Sequence, residues 1–217
     1  MQRMFASPVR LVLILLFLTA IPIVASIVRL FQIPLGQLPD ISLHLSDTPI
    51  PHFLHALAGA SFGIIGPIQF AGVLQRNYGR LHKVLGYVFV SAGAFLAYSS
   101  LHLLFTHTDT ESTLLNTTRF IAASGVAICL TLSMISIFRK RIRDHRAWMI
   151  RSYALGMGSA TIVFFAIPYL LITGQEADGL AGDMLFIASW VINFGIAEWV
   201  IRRPYRPVKR INLAATV

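Results

Sequence analysis

The sequence predicts an all-α integral membrane protein, a helical bundle of six transmembrane helices with both termini on the cytoplasmic side. Three observations carry that prediction. The 217 residues are 56% hydrophobic and only 12% charged, with a mean hydropathy of +0.71, so too few charges exist to cover a water-soluble surface. Apolar windows of roughly 18 to 23 residues, long enough for a hydrocarbon core of about 30 Å, recur along the chain. The bases, finally, concentrate in alternate loops between those windows.

The windows are residues 11–28, 52–74, 84–105, 120–138, 152–172 and 184–201. In lipid each backbone polar group must be satisfied within its own segment, which makes the windows helices; the period-2 alternation of a membrane barrel is absent. Residues 11–28, preceded by Arg3 and Arg10, also fit a signal peptide cut near Ala25 and Ser26. The long apolar run, continued by Ile27, Val28, Leu30 and Phe31, favours an uncleaved span. Pro34, Pro39, Pro49 and Pro51 discourage a continuous helix over 32–51, the longest connection. No Gly/Ser-rich or Pro-rich linker divides the chain, so residues 1–217 read as one integral membrane domain.

Orientation follows from charge. The amino terminus, the loops at 75–83 and 139–151, and the tail from Arg202 hold 16 of the 18 Lys and Arg; Arg29 and Arg119 fall on the other side. Asp40, Asp47, Asp109, Glu111, Glu176, Asp178 and Asp183 lie in the opposite loops. The positive-inside rule then places both termini in the cytoplasm, most simply across a bacterial cytoplasmic membrane. The net charge of +9 is explained by topology and calls for no nucleic-acid partner. Cys129, the only cysteine, lies in an apolar window and rules out an intrachain disulfide.

Packing signals are present inside the windows. Gly59 and Gly63 stand four apart on one helix face and favour close helix approach, or leave room for a flat cofactor. Gly156, Ser159 and Ala160 carry the same two readings. Pro22, Pro67 and Pro168 should each loosen or kink a span. Asn116-Thr117-Thr118 fits the glycosylation sequon, a short and common motif.

Polar side chains at membrane depth are costly and invite a functional hypothesis. They fall into two groups. The inner group is Gln69, Arg80, His82, Asp144, His145, Arg151 and Glu198. Arg151 and Glu198 sit at matched depth on antiparallel spans, which suits an intramembrane ion pair; Glu198 could equally pair with Arg202 at i+4. The outer group is His52, His55, His102 and His107. Imidazole is the commonest metal ligand, so His52, His55 and His102 form a candidate metal set.

Bis-histidine ligation of haem b needs imidazoles on facing helices. His55 with His102, and His82 with His145, are the candidate pairs, a constellation that resembles diheme membrane cytochromes of the b type. Against it, His82 and His102 share a helix and stand 20 positions apart, about 30 Å along the axis. Catalytic residues stay unassigned.

Two segments carry a family resemblance: YGRLHKVLGY at 78–87 and DHRAWMIRSYAL at 144–155. A histidine-bearing basic turn before one span and a His-Arg-x-Trp-Met-x-Arg-Ser-Tyr run into a later one resemble a bacterial family of multi-pass membrane proteins of unknown function, the DUF2306-like proteins. The resemblance covers roughly 51–202 and implies fold and topology without an activity. Trp148 and Tyr153 suit the headgroup region, with Arg143 and Arg146 attracting anionic lipid. Alternatively His82, His145 and Arg151 surround a cytoplasmic-side cofactor or quinone headgroup.

Three functions follow. The first is a haem-bearing or quinone-linked electron-transfer protein with a redox partner. The second is a non-enzymatic scaffold that interacts with lipid or protein; no phosphate loop, nucleophile elbow or HExxH motif is present. The third is a small transporter, for which broken helices would be the signature.

Overall fold

The computed structural model describes residues 8–38, 49–106 and 112–202. The sequence readings at Arg3, Asp40, Asp47, His107, Asp109 and Glu111, and at the tail beyond Arg202, lie outside the described residues. Within them the chain is helical, with no strand. The order is α1 (Pro8–Leu18), α2 (Ala20–Leu35), α3 (Pro49–Gln69), α4 (Gly72–Asn77), α5 (Gly79–Thr106), α6 (Thr113–Phe138) and α7 (Ile142–Gly156). A 3₁₀ turn (Gly158–Ile162), α8 (Val163–Thr173) and α9 (Gly179–Arg202) complete it.

α5, α6 and α9 are each long and apolar enough to cross a membrane. Two further crossings arise if each bent pair is one span: α1 with α2, bent by 62°, and α7 with α8, bent by 53°. The described helices therefore supply three to five candidate spans. The window at 52–74 contracts to α3, whose two histidines, Gln69 and glycines dilute its apolar character. The segment at 139–151 is mostly helix rather than loop. α6 stops where Lys140 adopts a positive φ of 57° and the Arg141 N–H reaches back to the Ser136 carbonyl at 2.9 Å, and α7 begins at once.

Proline chemistry accounts for two features of the bundle. Pro22 has no N–H to offer the Leu18 carbonyl, and the first helix breaks between Leu18 and Ala20, around Thr19. Pro67 likewise leaves the Gly63 carbonyl without its helical donor. That carbonyl accepts instead from the Tyr153 hydroxyl of α7 at 3.3 Å. The other break falls at Met157 to Ile162, well before Pro168, which α8 accommodates. There α9 supplies the missing partners. Trp190 Nε1 donates to the Leu155 carbonyl at 3.0 Å, and Asn193 Nδ2 reaches the Gly158 carbonyl at 3.0 Å and Thr161 Oγ1 at 2.7 Å.

The core sits where α3, α5, α6 and α7 meet. Phe62 and Phe89 are fully buried and stacked with ring centroids 4.3 Å apart, and Tyr153 stacks on Phe62 at 5.7 Å. Glycines make room for this layer. A Cβ on Gly93 or on Gly156 would come within 2.7 Å of the Phe62 ring, and one on Gly66 would overlap Tyr153. Tyr153 is only 6% exposed, so its expected place among lipid headgroups is corrected: the Gly66 gap and the carbonyl freed by Pro67 draw it into the core. Gly59 and Gly63 lie under α2, a Cβ on Gly63 meeting Ile23 at 2.9 Å.

Candidate functional site

α3, α6 and α9 all begin at one end of the bundle, called the upper end below, and α5 and α7 begin at the lower end. This alternation sorts the polar side chains by depth.

At the lower end Arg151 and Glu198 meet. Arg151 Nε lies 2.5 Å from Glu198 Oε1 and its Nη2 3.1 Å from Oε2, a two-pronged contact that ties α7 to α9. The guanidinium also lies over the Trp148 ring, 4.6 Å from the centroid. Arg202 stands 3.7 Å from the same carboxylate, so the i+4 pairing coexists with the interhelical one. His145 Nδ1 is 2.8 Å from Ser133 Oγ and 3.1 Å from the Ser133 carbonyl, which commits that ring nitrogen to α6. Gln69 Nε2 donates to the His82 carbonyl at 3.0 Å, while Gln69 Oε1 and His82 Nδ1 are buried without a hydrogen-bond partner among the described residues. These groups fasten helix to helix. Arg151 is already neutralised, which leaves it poorly suited to greet a headgroup.

The upper half is different. A cavity of about 390 Å³ extends from the upper ends of α3, α5, α6 and α9 down to the break after α7. That volume is within the usual range for a small-molecule site. Its polar lining is His52 and His55 from α3, Ser100 from α5, Asn116 and Arg119 from α6, and Ser159 from the 3₁₀ turn. Leu96, Val126, Leu155 and Trp190 contribute apolar wall. Gly156 forms part of the floor, against Phe62.

His55 Nδ1 pairs with Ser99 Oγ at 3.0 Å, and Ser99 in turn reaches the Leu96 carbonyl at 3.1 Å. Because the Ser99 proton goes to Leu96, the ring is anchored by donating from Nδ1, which leaves Nε2 as an acceptor. Arg119 lies over the Phe186 ring at 5.7 Å from the centroid. Donors at Asn116 and Arg119 beside apolar walls suit a ligand with a carbon body and acceptor oxygens.

The other sequence-stated residues separate from this site. His102 does not line the cavity; its ring stacks on Tyr98 with centroids 6.2 Å apart. The pair His55 with His102, and the set His52, His55 and His102, are therefore not gathered on one space. Two positions along α5 from Ser100, His102 is turned well away from the face that bears the cavity. Among the described residues no group of three or more His, Cys, Asp or Glu could hold a metal ion. Cys129 is buried and free.

Sequence reasoning passed over several contributors. In the sequence Asn116 reads only as part of a sequon, and Arg119 only as an exception in the charge count. Their spacing of three on α6, shared with Ala122 and Ala123 on the same wall, was the available signal. Asp183, expected in a loop, is a buried residue of α9, 7% exposed, and accepts from Ser112, the N-cap of α6. Residues so far apart in sequence give no local sign of such a bond.

No curated protein and no solved structure matches the chain. Residues 52–201, which hold most of α3 and the Arg151–Glu198 pair, match the family described as predicted membrane protein (DUF2306). With most of its length inside that match, the chain belongs to the DUF2306 family of predicted membrane proteins.

Proposed function

We propose that this is a single-domain, six-span protein of the bacterial cytoplasmic membrane whose upper cavity binds a small molecule with acceptor oxygens on an apolar body. Both termini are cytoplasmic in this reading, which puts the cavity on the outer side. Support for six spans comes from α3, 21 residues long and packed between α2 and α5, added to the three helices and two bent pairs. The charge asymmetry between alternate loops supports the orientation.

A single observation carries the ligand class: the cavity gathers His52, His55, Ser100, Asn116 and Arg119 within otherwise apolar walls. Quinone carbonyls and carboxylates share the required chemistry. The quinone-linked reading of the sequence thus moves from the lower group to the upper one, whose polar side chains share a cavity. Haem is not carried forward for the upper cavity. Among the described residues the cavity takes imidazoles from α3 alone, and bis-histidine ligation needs a facing pair.

The test is equilibrium binding to the purified protein in lipid nanodiscs, with a short-chain benzoquinone and with decanoate as separate probes. Trp190 in the cavity wall reports occupancy through its fluorescence. Saturable binding of either probe, weakened about tenfold by Asn116→Leu through loss of one hydrogen bond, supports the reading. Absence of saturable binding by both probes refutes it.

A further inference from the structure

The cavity ends where a helix is broken, and the two broken helices touch. Its floor includes Leu155 and Gly156 at the end of α7, and Ser159 in the 3₁₀ turn that follows. The other break, at Thr19 between α1 and α2, lies against the Tyr153 hydroxyl, only a few residues before that floor. Phe17 of α1 also meets Phe164 of α8, with centroids 6.3 Å apart. The first bent pair thus contacts the second on both sides of the second's bend, at Tyr153 before it and Phe164 after it.

Below the floor the bundle is tied at two levels. The stacked rings of Phe62, Phe89 and Tyr153 fill the space between α3, α5 and α7. Beneath them the Arg151–Glu198 pair holds α7 to α9 near the lower end. Discontinuous helices that meet beside a binding site, with one side open to a cavity and the other closed, are the parts that alternating access requires. A bend gives each helix a place to move without unfolding its two halves. Here the carbonyls at the α7 break are held by Trp190 and Asn193 of α9, so a shift of α7 against α9 has a defined set of bonds to exchange.

We propose that the upper cavity is one end of an alternating-access route across the bundle, with the two broken helices as its moving parts and the Arg151–Glu198 pair as its lower gate. The protein is then a carrier for the acceptor-bearing molecules that the cavity takes. The identity of the passenger rests on the binding reading above; the gate does not.

The experiment is cysteine accessibility in vesicles of both orientations, on a Cys129→Ser background that removes the only native thiol. Ser159→Cys places a reporter in the cavity floor, and a membrane-impermeant maleimide is applied from one side at a time. With the gate intact, labelling should come from the upper side at least tenfold faster than from the lower. Glu198→Gln should raise the lower-side rate at least tenfold, and the exchanged pair Arg151→Glu with Glu198→Arg should return it toward the parent value.

The proposal is overturned if Glu198→Gln, folded by size-exclusion profile and helical content, labels from the lower side no faster than its parent. Failure of Glu198→Gln to fold transfers the same test to Glu198→Asp, which shortens the gate and retains its charge. No labelling from the upper side also overturns it. Because no ligand is added, loss of ligand binding with gated labelling retained removes the passenger and keeps the route. Binding without gated labelling leaves a closed receptor site and removes the route.

Discussion

Replacing Glu198 with Gln removes the negative charge that faces Arg151 while keeping nearly the same shape. The two side chains are 21% and 20% exposed, which places the pair between a surface ion pair and a fully desolvated one. Exposed pairs contribute about 0 to 1 kcal/mol, and breaking a buried pair costs about 3 to 5 kcal/mol. Two-pronged geometry and the Trp148 ring over the guanidinium argue for the middle of that interval, about 2 kcal/mol, or about a 30-fold change in the folded-to-unfolded ratio. Arg202, 3.7 Å from the same carboxylate and largely exposed, is only a weak second partner for Glu198. Unfolding in mixed detergent micelles, for Glu198→Gln, Arg151→Met and the double variant, separates the pair from its surroundings. The double variant should fall short of the summed single effects by about 1.5 kcal/mol, the coupling expected of residues in direct contact. Additivity within about 0.3 kcal/mol would refute the reasoning, because the contact would then contribute nothing that either partner does not contribute alone.

Two further predictions concern structure. Gly158→Ala drives a Cβ into the Trp190 indole, which is itself tethered to the Leu155 carbonyl at 3.0 Å, so the variant should lose about 1 to 3 kcal/mol and lower its thermal midpoint in detergent. An unchanged midpoint would show that the ring moves freely. Ser112→Ala removes both the α6 cap, which accepts from the Leu115 N–H at 3.1 Å, and the donor to buried Asp183; the loss should be about 1 to 2 kcal/mol and exceed that of Asp183→Asn. The reverse ranking in the same melting assay would contradict this assignment.

Much of the fold was legible in the sequence because the apolar windows correspond to helices that must satisfy their own backbone. Their ends were less so. The basic segment at 139–151 reads as a loop by charge, yet Arg143 and Arg146 lie on α7, where long side chains reach outward while the helix continues. Pro22 marked its break correctly in position, since it deprives a carbonyl four residues earlier. The break after Gly156 was not readable, because its carbonyls are satisfied by Trp190 and Asn193, more than thirty residues away.

The candidate site divides the same way. Arg151 and Glu198 could be matched by depth alone, because antiparallel spans fix where a position falls along the membrane normal. Depth says nothing of azimuth. His55 and His102 share a level, but their rings point to different spaces, His55 to Ser99 and the cavity, His102 to Tyr98. Tyr153 reads as an interfacial residue from its basic neighbours; only the gap at Gly66 and the free carbonyl at Gly63 reveal it as core.

Photo-crosslinking locates the ligand on the chain. A diazirine-bearing benzoquinone and a diazirine-bearing decanoate, each photolysed on the protein in nanodiscs, would mark the residues that contact the ligand head. With the upper cavity as the site, adducts are expected on the α3 peptide that contains His52 and His55 and on the α6 peptide from Asn116 to Ala123, competed by unlabelled ligand. Competable adducts confined to the lower end, around His82 or His145 to Arg151, would contradict it.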